Sequence, residues 1–422
     1  MTLEAEPRVV VIGGGVIGVS CAYFLMKRGA RVTLCERKDI GQGASFGNAG
    51  AIAPGHGPMN KPGRIKQAFK SLFDPLSPLY VAPRLDAALA RWLFDFRRYC
   101  TAAYVEECLE TLGPLGHTTI KLYDELVEDE ALDCHYRREG YYEVYRTERA
   151  LAAARHEAAI TERHGFPTET VSGDTLRERE PALRTSVLGG VHYSQAATVN
   201  PNRFVQELAD RSERRGVEIR RNTDVREVLV EKGRARGVRT ADGEAINAGA
   251  VVIAAGVHSN ALARKLGLNL PLQAAKGYHR DRVPQTGQTP ALRQTCMLGE
   301  ASVFCTPMDG FVRFAGTLEF SGINEQVRRP RLEQLTSAAG HYFEGMGPVE
   351  AVSEWCGLRP CLSDGLPALG PVPGCAGAFV ATGHAMLGLT LGPVTGKLVA
   401  EYIVDGAPSL EVSALLPARF RQ

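Results

Sequence analysis

Glycines at 13, 15 and 18 stand directly behind an apolar run, Arg8-Val9-Val10-Val11-Ile12, and Glu36 follows 21 residues after Gly15. Glycine at 13 permits a tight turn, and the bare Cα of Gly15 lets backbone approach a bulky anion. Gly18 lets the following helix pack closely on the strand. The N-terminus of that helix offers unpaired N–H groups and a partial positive charge to phosphates. Glu36 ends a second apolar run, Arg31-Val32-Thr33-Leu34-Cys35, where a carboxylate accepts hydrogen bonds from ribose hydroxyls and repels a 2′-phosphate. Strand, G-x-G-x-x-G, helix, strand and acid together specify a site for an adenine dinucleotide. A Gly-rich turn without a ligand does not explain the whole series. Nor does a membrane span or a signal peptide. Val9 to Met26 holds 18 uncharged residues, but it contains three consecutive glycines, follows Glu4 and Glu6, and has no A-x-A pattern directly after it.

Other stretches bring backbone close to a flat or bulky ligand. Gly41 to Gly50 is built almost entirely of small and turn-forming residues. The apolar strand Ala250-Val251-Val252-Ile253 runs into Ala254-Ala255-Gly256, and near the C-terminus Ala378-Phe379-Val380-Ala381 runs into Thr382 to Gly388 and a helix through Lys397 to Ile403. The N-terminal motif alone does not separate NAD from FAD. A helix N-terminus near residue 388 favours flavin, because reduced flavin carries negative charge around N1 and the C2 carbonyl.

Composition narrows the class. A length of 422 residues with 44% hydrophobic content supports two or three domains with large cores. Basic and acidic residues nearly balance at 49 and 47, with no block suited to nucleic acid. The ten cysteines show neither C-x-x-C nor metal-ligand spacing, so free thiols in a reducing compartment and no metal are expected. The expectation is a soluble cytoplasmic protein, with peripheral contact at the inner face of a membrane left open.

The elements that position these residues follow from periodicity. Residues 64–130 read as largely helical, with Ala88, Trp92, Phe96 and Tyr99 on one buried face. Before them, Leu72 to Val81 is unusually apolar for a Pro-containing loop; burial in the monomer is the expected reason, with a partner or membrane as alternatives. Gly140 to Tyr145 reads as a strand, Ala150 to Arg163 as a helix, Val217 to Ile253 as dense β structure, and Arg331 to Glu344 as a helix. Pro307-Met308-Asp309-Gly310 between two β-rich runs signals a hairpin. Dinucleotide-type elements at both ends and in the middle imply interleaved domains.

Taken together, these motifs resemble the FAD-dependent D-amino acid oxidoreductases of the D-amino acid oxidase, glycine oxidase and sarcosine oxidase group. The resemblance spans essentially the whole chain. It rests on Gly13–Gly18 with Glu36, Ala44-Ser45-Phe46 with Asn48-Ala49-Gly50, Val252 to Gly256, Lys276-Gly277-Tyr278, Ala315 to Glu319, Gly357-Leu358-Arg359-Pro360 with Asp364-Gly365, and Gly383-His384 with Gly388-Leu389-Thr390. The Ser-Phe-x-Asn-Ala-Gly and Lys-Gly-Tyr versions look most like bacterial D-amino acid dehydrogenases, including those acting on D-proline or hydroxy-D-proline. The resemblance implies an α/β fold in which a Rossmann-like FAD domain (1–90, 190–268, 355–422) interleaves with an antiparallel-sheet substrate domain (91–189, 269–354). It implies hydride transfer from the Cα of a small D-amino or imino acid to flavin N5. The imino product then hydrolyses to a 2-oxo acid and ammonia, or remains cyclic. A glycine or sarcosine oxidase using oxygen, and a flavin relay subunit of a larger complex, are the alternatives. Oxygen and a quinone both stay open as electron acceptor, as does oligomeric state.

The FAD set implied is Gly13, Gly15, Val16, Ile17, Gly18, Glu36, Arg37, Ala44, Ser45, Asn48, Ala49, Gly50, Val225, Ala255, Gly256, Gly383, His384, Gly388, Leu389 and Thr390. For the substrate, Arg359 is the expected carboxylate clamp, since a planar guanidinium grips a carboxylate bidentately. Tyr278 is a second candidate contact, weighed against a core tyrosine, and Tyr142 a weaker one. His56 and His384 are expected near the ring, weighed against structural histidines. Cys356 falls near the position where sarcosine oxidases bond flavin covalently; a buried structural cysteine is the reading preferred here. Lys276 reads as a structural or entrance residue.

Overall fold

A computed structural model describes residues 7–283, 292–345 and 351–420. Arg8–Ile12, buried from Val9 onward, lies inside a parallel sheet between Arg31–Cys35 and Ala250–Ile253. Among the described residues this sheet runs Ala368–Pro371, Ala378–Thr382, Ala250–Ile253, Arg8–Ile12, Arg31–Cys35, Glu218–Arg220, and only the first pair is antiparallel. Strands covered on both faces carry unbroken Val and Ile rather than alternation. Val9 and Val11 meet the helices Val16–Lys27 and Gly388–Ala400, while Val10 and Ile12 meet the three-stranded sheet of Val225–Glu231, Arg234–Thr240 and Ala245–Asn247.

The larger sheet, among the described residues, runs Ser353–Leu362, Leu272–Arg282, Phe311–Phe320, Val303–Met308, Cys296–Leu298, Tyr141–Tyr145, Gly189–Tyr193, Thr168–Ser172, with Leu79–Val81 beside Phe311–Phe320. It is antiparallel except at Leu79–Val81 and between Cys296–Leu298 and Tyr141–Tyr145. Ser353–Leu362 is its edge strand. The hairpin expected at 307–310 joins Val303–Met308 to Phe311–Phe320. The expected α/β class, a parallel dinucleotide sheet with an antiparallel partner, is what the chain adopts.

Several local expectations shift. Leu79–Val81, Gly189–Tyr193 and most of Ser353–Leu362 pair into the larger sheet although they lie in segments assigned to the cofactor side. Helix Ala102–Asp129, assigned to the substrate side, binds the cofactor side: Tyr123 Oη and Thr119 Oγ1 donate to the carbonyls of Leu389 and Thr390, both at 2.6 Å. A strand's apolar pattern announces that it pairs, not with which sheet. The apolar stretch 72–81 divides: Leu79, Tyr80 and Val81 are buried, whereas Phe73 and Leu76 are exposed. In helix Ala87–Arg98 the buried stripe is Leu89, Trp92 and Phe96; Ala88 faces solvent.

Contact between the helices Val16–Lys27 and Gly388–Ala400 depends on missing side chains. A Cβ on Gly396 would stand 2.4 Å from the Ser20 carbonyl carbon, and one on Gly392 would stand 2.8 Å from Val16 Cγ2. Their four-residue spacing puts both glycines on one face. Gly396→Ala should therefore destabilise the fold by about 1–3 kcal/mol through overpacking, read as a lower urea midpoint at unchanged m-value.

Candidate active site

A cavity of about 730 Å³ opens between the C-terminal ends of the parallel strands and the edge strand Ser353–Leu362. This is where open α/β sheets bind ligands, and the volume suits a ligand larger than a mononucleotide. Gly13, Gly15, Val16 and Ile17 line it from the first turn. Gly13, at φ +113°, has no room for a Cβ, which would stand 2.5 Å from the Ala254 carbonyl oxygen. Gly18 lies outside the lining and sets the helix against the strand, its Cβ position being 1.8 Å from the Gly13 oxygen. Ser45 Oγ accepts from the Val16 amide at 3.0 Å and braces the helix start.

Glu36 also lines the cavity, as does Arg37. Its carboxylate accepts from the amides of Gly14 at 2.7 Å and Lys38 at 2.8 Å. Two donors leave acceptor sites free for a diol. Ala44, Ser45, Asn48, Val225, Ala255, Gly256, His384, Gly388 and Leu389 complete the expected lining. Four expected residues stand behind the wall. Ala49 O accepts from Thr306 Oγ1 at 2.7 Å, and Thr390 Oγ1 accepts from the Ala53 amide at 3.1 Å. Gly50 and Gly383, at φ +83° and +81°, press so closely on Val199 and Leu362 that a Cβ has no space. The glycine cradle, the diol-ready carboxylate and the helix N-termini that begin at Val16 and Gly388 fit an adenine dinucleotide with a ring that accepts charge.

Arg359 is brought to the same cavity. Its guanidinium lies flat over Gly277, where a Cβ would come within 2.0 Å of Nη1, and Nη1 donates to the Thr317 carbonyl at 2.9 Å. Among the described residues no carboxylate lies within 4.0 Å of it. Burial pulls its pKa below the usual arginine value, so an anion placed beside it would be strongly held. Thr317, at φ +61°, and Ala385, at φ +47°, flank this point in the left-handed region.

Tyr278 is not at the cavity. Ala275 is opposite Arg359 in the strand register, so Tyr278 points to the other sheet face. There it is fully buried and its Oη donates to Glu319 at 2.8 Å, which corrects the expected substrate contact. Tyr142 is likewise buried, stacked on His192. His56 lies outside the lining near Lys61 and Glu157, with its pKa lowered to about 4 by burial and by the Lys61 charge. His384 lines the cavity and shares a hydrogen bond with Thr395 Oγ1 at 3.0 Å; burial lowers its pKa to about 3. Cys356 donates to the Glu325 carbonyl at 3.4 Å, and burial raises its pKa. Lys276 is buried on the Tyr278 face against Asn324 and Gln326.

Sequence reading missed Trp355, which lines the cavity between Gly47 and Gly357 and stacks on His279 at 5.4 Å. It also missed the clamp on the 44–50 loop. Arg313 makes a bidentate pair with Asp281, 2.8 Å on both arms, and donates to the carbonyls of Phe46 at 3.0 Å and Asn48 at 3.1 Å. The one sequence signal was an arginine inside the otherwise apolar strand Phe311-Val312-Arg313-Phe314-Ala315.

Comparison with known proteins settles the family. The model of the FAD dependent oxidoreductase family, DAO, matches residues 8–402. The chain belongs to that family. It is 33% identical over 413 residues to a D-amino acid dehydrogenase of Cereibacter sphaeroides, covering 97% of this chain and 94% of the relative. It is 32% identical over 418 residues to a D-amino acid dehydrogenase of Methylobacterium nodulans, covering 98% and 99%. In fold it is similar to glycine oxidase from Geobacillus kaustophilus (TM-score 0.78, 23% identity, 98% and 99% covered). L-proline dehydrogenase from P. horikoshii has the same fold (TM-score 0.75, 19% identity, 98% of each chain). So does L-α-glycerophosphate oxidase from Mycoplasma pneumoniae, solved with FAD bound (TM-score 0.74, 17% identity, 96% of each chain). FAD is the cofactor of this oxidoreductase family.

Two measurements test the site. Arg313→Gln removes both arms to Asp281 and should lower FAD retention on dialysis far more than Arg313→Lys, which keeps the charge. As pH falls below 6.5, the unfolded chain protonates His384 while the folded chain does not, so stability declines between pH 6.5 and about 3. The slope from this ring is at most roughly 1.4 kcal/mol per pH unit. His384→Gln should flatten the pH dependence of the urea midpoint across that window.

Proposed function

We propose that this protein is an FAD-dependent dehydrogenase of a small D-amino or imino acid, and that Arg359 holds the substrate carboxylate. The observation that carries this reading is the buried Arg359 guanidinium, facing a dinucleotide-sized cavity with no carboxylate partner among the described residues. The names of the curated relatives support the D-amino acid class and the dehydrogenase reaction. Two interleaved units do the work: a cofactor unit on the parallel sheet and a substrate unit on the larger sheet.

When bound, the flavin supplies the acceptor for a hydride and its two electrons. The chain's own residues do the rest. Gly13, Gly15 and Val16 would hold the pyrophosphate at the helix start, Glu36 would hold the ribose hydroxyls, and the 44–50 and 254–256 segments would bracket the remainder. The helix N-terminus at Gly388 would stabilise negative charge developing on the ring. Arg359 and the Thr317 carbonyl orient the substrate so that its Cα–H presents to one side. A neutral amine lone pair then forms the C=N bond as the hydride leaves, and no protein nucleophile is needed. The buried, neutral His384 ring adds no positive charge of its own to the cavity wall.

An anaerobic absorbance titration with D- and L-amino acids, proline, hydroxyproline, glycine and sarcosine tests this. D-substrates should bleach the flavin rapidly. Arg359→Ala should keep its flavin but lose about 2–5 kcal/mol in kcat/KM. Bleaching by glycine or sarcosine alone would move the protein to an oxidase-type reaction. Bleaching by D-substrates that survives Arg359→Ala would sink the clamp.

A further inference from the structure

Two glycines of the cavity wall owe their place to a neighbouring ring. Neither Gly47, in the 44–50 loop, nor Gly357, on the edge strand, has a positive φ, so a left-handed backbone is not what calls for glycine there. What excludes a side chain at both is the Trp355 indole. A Cβ on Gly47 would stand 2.0 Å from its Cε3, and one on Gly357 would stand 2.0 Å from its Cη2 and Cζ2. Trp355 is half-buried and lines the cavity; among the described residues it is the only Phe, Tyr or Trp that does so. The indole is also backed. His279 stacks on it at 5.4 Å between centroids and 20° between planes, and Phe46 stacks on His279 in turn at 6.1 Å and 25°. Burial, with the Arg313 charge beside it, lowers the His279 pKa to about 4, so the backing ring is uncharged at neutral pH. An indole seated on two glycines and a buried ring is a plate ordered before any ligand arrives.

Its location decides what the plate can serve. Gly277 and Gly357 are opposite each other in the strand register. The Arg359 guanidinium covers the first and the indole covers the second, so clamp and plate lie side by side on one sheet face. Glu36 and Val225 mark the adenosine end of the cavity, at the parallel-sheet side. A ring that takes a hydride from a carboxylate-held substrate must reach the clamp, and beside the clamp the wall offers this one flat aromatic surface.

We propose that Trp355 is a positioning residue for the cofactor, its indole in face contact with the isoalloxazine ring of bound FAD. Stacking two aromatic systems adds to what their burial contributes. It also restricts the ring to the plane that an Arg359-held substrate approaches. The assignment rests on FAD occupying this cavity, and it is independent of which amino acid is oxidised.

The test reads flavin emission from the purified holoprotein without substrate. An excited flavin touching an indole or a phenol takes an electron from that ring and returns it without emitting light; a phenyl ring gives none. Bound flavin in the native protein should therefore be dim. Trp355→Tyr should keep it dim. Trp355→Phe should brighten the bound flavin several-fold while holding FAD affinity within about threefold. Trp355→Ala should brighten it and also weaken FAD binding roughly tenfold. Trp92→Phe, at the other tryptophan of the chain, should leave emission unchanged. A bright native flavin, or emission that Trp355→Phe leaves as it was, would overturn the proposal. So would unchanged emission with an altered preference among D-amino acids, which would give the indole to the substrate side chain. A protein that takes up no FAD would overturn both this assignment and the cofactor reading. Brightening by Trp355→Phe in a protein that oxidises no amine would leave Trp355 standing and remove the substrate reading instead.

Discussion

The cavity exists only because two sheets are held edge to end, and the Arg313–Asp281 pair is what holds them at the flavin loop. Taking a guanidinium and a carboxylate out of water is costly, and the cost is offset only when both are fully satisfied. Here the two charges meet along both arms at 2.8 Å, and the remaining N–H capacity of Arg313 goes to carbonyls of Phe46 and Asn48. A strand of the larger sheet thus grips a loop that belongs to the dinucleotide motif. Thr306 Oγ1 on the neighbouring strand does the same for Ala49. The loop is rich in small residues so that backbone can come near a ligand, and the same smallness leaves it without packing of its own. Its shape is imposed from across the interface.

The setting of Arg359 follows from the same arrangement. Ser353–Leu362 is an edge strand, so its free margin can border a cavity rather than another strand. Along it, Trp355, Gly357 and Arg359 share one face, and the facing strand places Gly277 under the guanidinium. A larger residue at 277 would displace Arg359, and a carboxylate nearby would neutralise it. The left-handed backbone at Thr317 and Ala385 shows that the surrounding framework is rigid enough to hold strained residues at this point.

Much of the cofactor half was legible in the sequence because its signals are local. Gly13, Gly15, Gly18 and Glu36 are fixed by spacing, and the three small-residue strand ends were visible as composition. The failures have a common physical cause. Tyr278 sits beside Gly277 in the chain, yet strand alternation sends it to the opposite face, where Glu319 satisfies its hydroxyl. Leu79–Val81 read correctly as apolar, but its pairing partner is set by tertiary fit. Asp281 and Arg313 are 32 residues apart and meet only through register. Gly50 and Gly383 were recognised as special, though their role is close packing behind the wall rather than contact with the ligand space.

The order of strands in the parallel sheet also governs how the molecule can be made. Arg8–Ile12 pairs with Ala250–Ile253, which pairs in turn with Ala378–Thr382. Such long-range parallel pairing is slow, because loop closure must be completed before contacts compensate for it. On the ribosome the apolar first strand and its neighbour Arg31–Cys35 emerge long before Ala250–Ile253 exists, with an edge open to any other chain. The dinucleotide motif is thus translated before the strands that complete its sheet, and in that interval its open edge is exposed to mispairing.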